Sequence, residues 1–447
     1  MKWNDAPLIR KDLSTVLHHY VLALAWEFLP YLNGLETDYM SSLSARPLDG
    51  IRVVGLEQYI AGPYCTMLLA DAGAEVIKIE RPGVGDPRRV MPPFAEKNGH
   101  KKAAGFMAYN RNKKSLALNL RDPSGKNIFR RLCERADIVV ENLRPGSMNK
   151  QGLGYTEMSR INKRLIWGII SGFGQLEGYK GPYADRPAFD IVAEAMSGIM
   201  HMVGFADKPP SWTIYGMADV YSGQIAAYGI MQALFMRERT GYGQLVDSAM
   251  FDNMVALNEA QVALYSISGQ VNSRGEPKNI WPRDAYRCLD GWVAINAPDN
   301  IIWGRLADLM GKPELKNDPR SNSGPTRCQN IGFLQPILEA WFGMQKRSDV
   351  VEALNNAGVP CGPVYNTKDI FDDKRVYERG ILIDVDDPEV GSHKFARTPP
   401  HLSAMPEIPA KPAPKLGQHT RELMENLLGY SSKEVTKLVD AGVVQTD

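Results

Sequence analysis

The stretch PLDGIRVVGLEQYIAGPYCTMLLADAGAEVIKIE, Pro47 to Glu80, decides the fold class. Its IRVVGL run is short, apolar and rich in β-branched residues, the pattern of a strand. In AGPYCTMLLADAGA, residues Met67, Leu68, Leu69 and Ala72 fall at helical offsets. EVIKIE (Glu75 to Glu80) then alternates apolar and polar side chains as a second strand. Strand, helix and strand in this order form a β-α-β unit. GKNIFRRLCERADIVVEN (Gly125 to Asn142) adds a helix and a strand, and RLIWGIISGFG (Arg164 to Gly174) adds another strand. Alternating units of this kind predict an α/β fold, a parallel sheet with helices on both faces, beginning near residue 46.

Beyond residue 190 the pattern turns helical over Ile191 to Val203 and over Val220 to Arg239, with Gly241 as the stop for the second. A strand QLVDSAM and a helical stretch close a first body, 46–265. Residues 277–380 read as a smaller domain with a strand at Gly291 to Ala297. Thr398 to Lys415 is rich in proline and should run extended. A final helix pair spans Thr420 to Val443, with Thr420 as N-cap. Residues 1–45 form an N-terminal extension. Its apolar stretch Leu13 to Leu32 is interrupted by His18, His19, Glu27 and Pro30, so it predicts an amphipathic helix and no membrane span.

The 447 residues carry 52 Lys plus Arg against 51 Asp plus Glu, a net charge of +1 that provides no general field for nucleic acid or an anionic membrane. The five cysteines are scattered, with no zinc spacing, which suits a reducing cytoplasm and predicts no metal. Any polyanionic ligand must therefore meet a local cation cluster. The turn after the first strand, Glu57 to Pro63, lacks G-x-G-x-x-G, and this argues against a nicotinamide dinucleotide. Arg81 follows the strand-ending Glu80, and a guanidinium there suits a phosphorylated ribose such as that of coenzyme A. Arg88 and Arg89 in RPGVGDPRR, and Arg111, Lys113 and Lys114 in NRNKKSLALNL, are further candidate clusters or solvated faces.

Asp219 stands in Gly216-Met217-Ala218-Asp219-Val220-Tyr221-Ser222-Gly223, at the start of a long apolar helix. Free N–H groups and the positive end of the helix dipole should keep such a carboxylate ionised. The residue is then either a plain cap or a nucleophile for a thioester. Asp190 precedes a helix in the same way. Phe189, Trp212, Tyr215 and Trp281 could line an acyl pocket or fill a core, and His201 is expected to pack in a helix.

Taken together, PLDGIRVVGLEQYIAGPYCTMLLADAGAEVIKIERPGVGDPRR, NRNKKSLALNL, VENLRPGSMNKQGLGY, GMADVYSG, TGYGQLVDSAM, GVPCGPVYN and KLGQHT resemble, in order, the family III coenzyme A transferases. The resemblance implies a Rossmann-like large domain built from both ends of the chain, with 385–447 returning to it, a small α+β domain between, and an interlocked dimer. It implies transfer of coenzyme A from an acyl-CoA donor, succinyl-CoA among the candidates, to a carboxylic acid through an anhydride and a thioester on Asp219, with no tightly bound cofactor. It also implies coenzyme A contacts from Tyr59, Ile60 and Ala61, from Arg81 and Arg89 near phosphates, and from Leu118, Asn142, Leu143 and Lys150 around adenine and pantetheine. Ile60 stands where the formyl-CoA branch has a glutamine, and Ser273 to Asp284 lacks that branch's glycine run, which argues against formate and oxalate. Phe189-Asp190 replaces the His-Asp of the racemase branch. An isomerase of that branch, or a subunit of a heteromer with a paralogous chain, are the alternatives.

Overall fold

Strand β1 (Arg52–Leu56) pairs in parallel with β2 (Glu75–Glu80), and helix α1 (Ala61–Asp71) crosses between them. This computed structural model describes residues 46–274, 280–406 and 408–447, so the helix expected at Leu13 to Leu32 lies outside the described residues. The sheet extends from β2 to β3 (Lys113–Leu118). From the other side of β1 it extends through β4 (Ile138–Glu141), β5 (Ile166–Ser171) and β6 (Leu245–Ala249). The short β7 (Val444–Gln445) closes the β3 edge antiparallel. The spatial order is therefore β7-β3-β2-β1-β4-β5-β6.

Both faces are covered, as β-α-β connections require. On one face α1 and α3 (Met217–Thr240) pack over Val53, Val76, Ile138, Val140, Ile166 and Ile170. On the other, α2 (Pro123–Arg135) and the C-terminal residues Leu423, Met424, Val435 and Val443 cover Val54, Ile77, Leu116, Val139 and Trp167. The chain runs outward to β3 on one side of β1 and to β6 on the other. Such a reversal opens a crevice at the carboxyl ends of β1 and β4, where open α/β sheets take ligands.

The chain divides into two compact units. One takes the described residues up to Ala193 together with Gly216–Asn253 and Ile383–Asp447. The other takes Glu194–Tyr215 and Met254–Leu382, so some residues grouped by sequence with the first body cluster with the second. Within this second unit, Gly291–Asn296 lies between Arg283–Cys288 and Cys361–Pro363 in an antiparallel sheet, over a core that includes Trp281, Trp303, Leu338 and Phe342.

Several local expectations are corrected. The helix expected over Ile191 to Val203 is broken into Asp190–Met196 and Ile199–Met202, because Gly198 adopts φ +84°, the left-handed region closed to most side chains. His201 is exposed on the second piece and bonds Ser273 Oγ at 2.9 Å. Thr420 is no N-cap: its hydroxyl accepts the Ala117 N–H of β3 at 3.1 Å. Trp281 is core, while Phe189, Trp212 and Tyr215 are exposed. Among the described residues no helix is long and apolar enough to cross a membrane, and no His/Cys/Asp/Glu group could hold a metal. All five cysteines are free thiols.

Candidate functional site

The carboxyl end of β1 rests on buried charges. Glu57, Lys78 and Lys113 are each within 4% of full burial. Lys78 Nζ reaches Glu57 Oε2 at 3.1 Å, Asp86 Oδ2 at 3.0 Å and the Glu57 carbonyl at 2.8 Å. Lys113 Nζ reaches Glu57 Oε1 at 3.1 Å, the Pro63 carbonyl at 3.0 Å and Asn110 Oδ1 at 2.9 Å. Burial penalises the Glu57 charge, but the two ammonium groups outweigh it and hold the carboxyl down to about 2. Burial instead prevails at Lys113, whose pKa falls to about 8 despite Glu57. A buried charge without its partner is expensive, so this network clamps the turn above it.

That turn carries the first predicted contact residues. Tyr59 sits at φ +63°, a strained conformation for a residue with a side chain, and such strain persists only where the surroundings enforce it. Its N–H donates to Asp86 Oδ1 at 3.3 Å. The preceding Gln58 exchanges two hydrogen bonds with the Asn142 amide, both 2.8 Å, across the crevice between β1 and β4. Ile60 and Ala61 are buried at the start of α1. Leu143 follows Asn142, and Lys150 is exposed at the end of the short helix Ser147–Lys150. Arg81 is exposed directly after β2. The structure thus brings these residues to one edge of the sheet, its carboxyl edge.

Two other expected contacts, Arg89 and Leu118, stand at the carboxyl ends of β2 and β3 with their side chains engaged inside the protein. Arg89 forms a two-pronged pair with Glu80, Nε to Oε1 and Nη2 to Oε2 both at 2.8 Å, and stacks on Phe106. Its guanidinium is therefore held within the protein, and so is Glu80, which also accepts the Ser115 hydroxyl. Leu118 is 2% exposed, with its side chain in the core. Nor are Arg111, Lys113 and Lys114 an open cation cluster: Arg111 pairs with Asp71, and Lys114 with Glu75 and Glu422.

Asp219 occupies the first turn of α3, beside the turn just described. A side chain on Gly216 would come within 3.4 Å of Ile60 Cδ1, and one on Gly223 within 2.5 Å of the Ala61 carbonyl. The two helix starts therefore lie together. The expectation that the free N–H groups of α3 serve Asp219 is overturned. They belong to Asp190, whose carboxylate accepts from Ala218 N–H at 2.6 Å, Asp219 N–H at 3.2 Å and Gly216 N–H at 3.3 Å. Burial, joined by the charge of Asp190 and opposed by Arg88, pushes the Asp219 carboxyl up to about 7. Phe189, 64% exposed, meets the Tyr59 ring edge-on with centroids 6.2 Å apart, so Tyr59, Phe189 and Asp190 converge on the start of α3.

Sequence reasoning missed the clamp of Glu57, Lys78 and Lys113, although a signal existed. Helices on both faces oblige polar side chains of an inner strand such as β2 to be buried and paired. It also missed Glu141, at the end of β4. Burial drives that carboxyl up to about 7, while the Trp167 indole N–H donates to it at 3.0 Å.

Residues 48–420 match the model of CoA-transferase family III. The chain is 37% identical to the succinyl-CoA–D-citramalate CoA-transferase of Chloroflexus aurantiacus, over 88% of this chain and 97% of that one. It is 35% identical to the succinyl-CoA:glutarate CoA-transferase of Mus musculus, over 90% and 91%. A CAIB/BAIF family protein from Brucella suis, solved by crystallography, superimposes with a TM-score of 0.77 at 36% identity, over 86% of this chain and all of that one.

Proposed function

The chain belongs to CoA-transferase family III and is a CoA-transferase, and from that premise we propose that it moves coenzyme A from succinyl-CoA to a small carboxylic acid by way of Asp219. The observation that carries this reading is the setting of Asp219. It is a largely desolvated carboxyl of raised pKa, on a helix start, beside the turn at the reversal of strand order.

An Asp219 oxygen attacks the thioester carbonyl carbon; the carbon–sulfur bond breaks, and its electron pair leaves on the coenzyme A thiolate. The thiolate then attacks the Asp219 carbonyl carbon of the anhydride and expels the acyl group as its carboxylate. The acceptor carboxylate repeats the two steps in reverse on the aspartyl thioester. Each stage exchanges one leaving group for another with no net proton change, which divides a difficult exchange into easier ones. Tyr59 to Ala61, Asn142 and Leu143 would flank the pantetheine, with Arg81 and Lys150 toward the phosphates. Arg89 and Leu118 are left out of this set, since one is paired to Glu80 and the other is core. The names of the two curated relatives favour succinyl-CoA as donor, the family likeness favours an interlocked dimer, and the scattered free cysteines favour a reducing compartment such as the cytoplasm.

Incubating the protein with succinyl-CoA and hydroxylamine should leave a hydroxamate on the peptide that contains Asp219. Asp219→Ala should lose nearly all transfer while still binding coenzyme A. A label on another peptide, or an active Asp219→Ala variant, would refute the mechanism. A panel of mono- and dicarboxylic acids offered with succinyl-CoA, and again with acetyl-CoA, identifies acceptor and donor.

A further inference from the structure

Helix α3 is 24 residues long, and its N-cap, Gly216, offers no side chain to its first turn. The orphan N–H groups of that turn must find acceptors elsewhere. Asp190 supplies them from 26 to 29 residues earlier in the chain, with three hydrogen bonds that include the Asp219 N–H itself. An ordinary cap sits next to its helix and carries no further consequence. A remote carboxylate in this position does two things. It fixes the first turn of α3 against the segment that holds Phe189. It also takes for itself the N–H groups that would otherwise stabilise an ionised Asp219.

We propose that Asp190 is a positioning residue of the transfer reaction, which holds the first turn of α3 through its backbone N–H groups and sets a second carboxylate beside the nucleophile Asp219. The proposal rests on the assignment of Asp219 as nucleophile. Two charges face Asp219 with opposite effect: the carboxylate of Asp190, and Arg88 from the turn Pro87–Val90. A more basic carboxylate is a stronger nucleophile once ionised, whereas too high a pKa leaves it protonated, so a value near the working pH serves both needs. The position of Asp219 near 7, reached through burial and Asp190 against Arg88, fits that compromise.

The pH dependence of kcat/KM with succinyl-CoA reports ionisations of the free enzyme. In the wild type its acid limb should fall near the Asp219 value. Asp190→Asn retains an acceptor for the helix N–H groups but removes the charge. Its acid limb should move to lower pH by about half a unit or more, with a several-fold lower plateau, as loss of a like charge demands. Asp190→Ser, a second neutral cap, should move the limb the same way and serves if the Asn variant does not fold. Asp190→Glu, which keeps the charge, should leave the limb in place. A limb that stays at the wild-type pH in the neutral variants, while Asp219→Ala is inactive, overturns the role of Asp190 and leaves the nucleophile assignment standing. An active Asp219→Ala enzyme overturns the assignment itself.

Discussion

Asp219 and Glu141, the two carboxyls that burial pushes up to about 7, lie at the same edge of the sheet, but only one has a place in the proposed chemistry. Glu141 is 8% exposed, and its consequence should be read in stability. Its pKa rises from 4.5 to about 7 on folding, so between those pH values the folded protein holds a proton that the unfolded chain has released. Stability therefore declines as pH rises through that window, and the full penalty is present above it. Glu141→Gln keeps an oxygen for the Trp167 indole and removes the ionisation. It should resist denaturant better than the wild type at pH 8, by on the order of 3 kcal/mol, and show little gain at pH 4.5. Equal differences at the two pH values would contradict this account. At this scale the sequence was only partly informative. Asp219 could be picked out from its glycine-bracketed context, but its protonation could not, because the N–H groups that would have lowered its pKa go to a residue 29 positions away.

Elements were far more legible than their surroundings. EVIKIE is a strand over the residues expected, and the strands of IRVVGL, ADIVVEN and RLIWGIISGFG lie inside the stretches that predicted them, because an apolar run bounded by turns has few other ways to be buried. The places where helices meet could not be read, since they depend on single atoms. At Gly223 the α3 backbone approaches the Ala61 carbonyl so closely that an added Cβ would lie 2.5 Å from that oxygen and 3.2 Å from the Cys65 nitrogen. Intrinsic preference favours Ala over Gly inside a helix by about 1 kcal/mol. Overpacking against an immobile backbone works in the opposite direction by about 1 to 3 kcal/mol. Gly223→Ala should therefore lower the denaturation midpoint. Because Asp219 lies one turn away, it should also reduce kcat/KM by about tenfold or more, more than the stability loss alone explains. A more stable and fully active variant would show that the two helices can separate without consequence.

For the whole molecule, the decisive fact is that the first unit is assembled from three separated stretches of chain. The parallel sheet was legible from its β-α-β units, but β7 was not: two residues give no periodicity, and only their pairing with Leu118 and Ala117 makes them a strand. Val443 and Val444 are 3% and 2% exposed within the core over β3. Ending the chain at Gly442 removes both, at about 1.5 to 3 kcal/mol each, and bares the β3 edge. The truncated protein should melt at lower temperature and aggregate on heating, as followed by light scattering. An unchanged melting profile would mean that the edge needs no closing.

Closure of that edge also sets a timetable for synthesis. The Ala117 N–H waits for a hydroxyl 303 residues further along the chain, and the core beneath it waits for Val443 and Val444. A ribosome must therefore make the entire second unit, and almost all of the C-terminal stretch, while the first half stands with an open edge and an apolar face that α2 covers only in part. Long-range closure of this kind is slow and leaves surface exposed to other chains. The codons for Val443 and Val444 are thus a quality check on the sheet made long before them: a nascent chain that stalls ahead of them keeps an open edge to which other chains can pair.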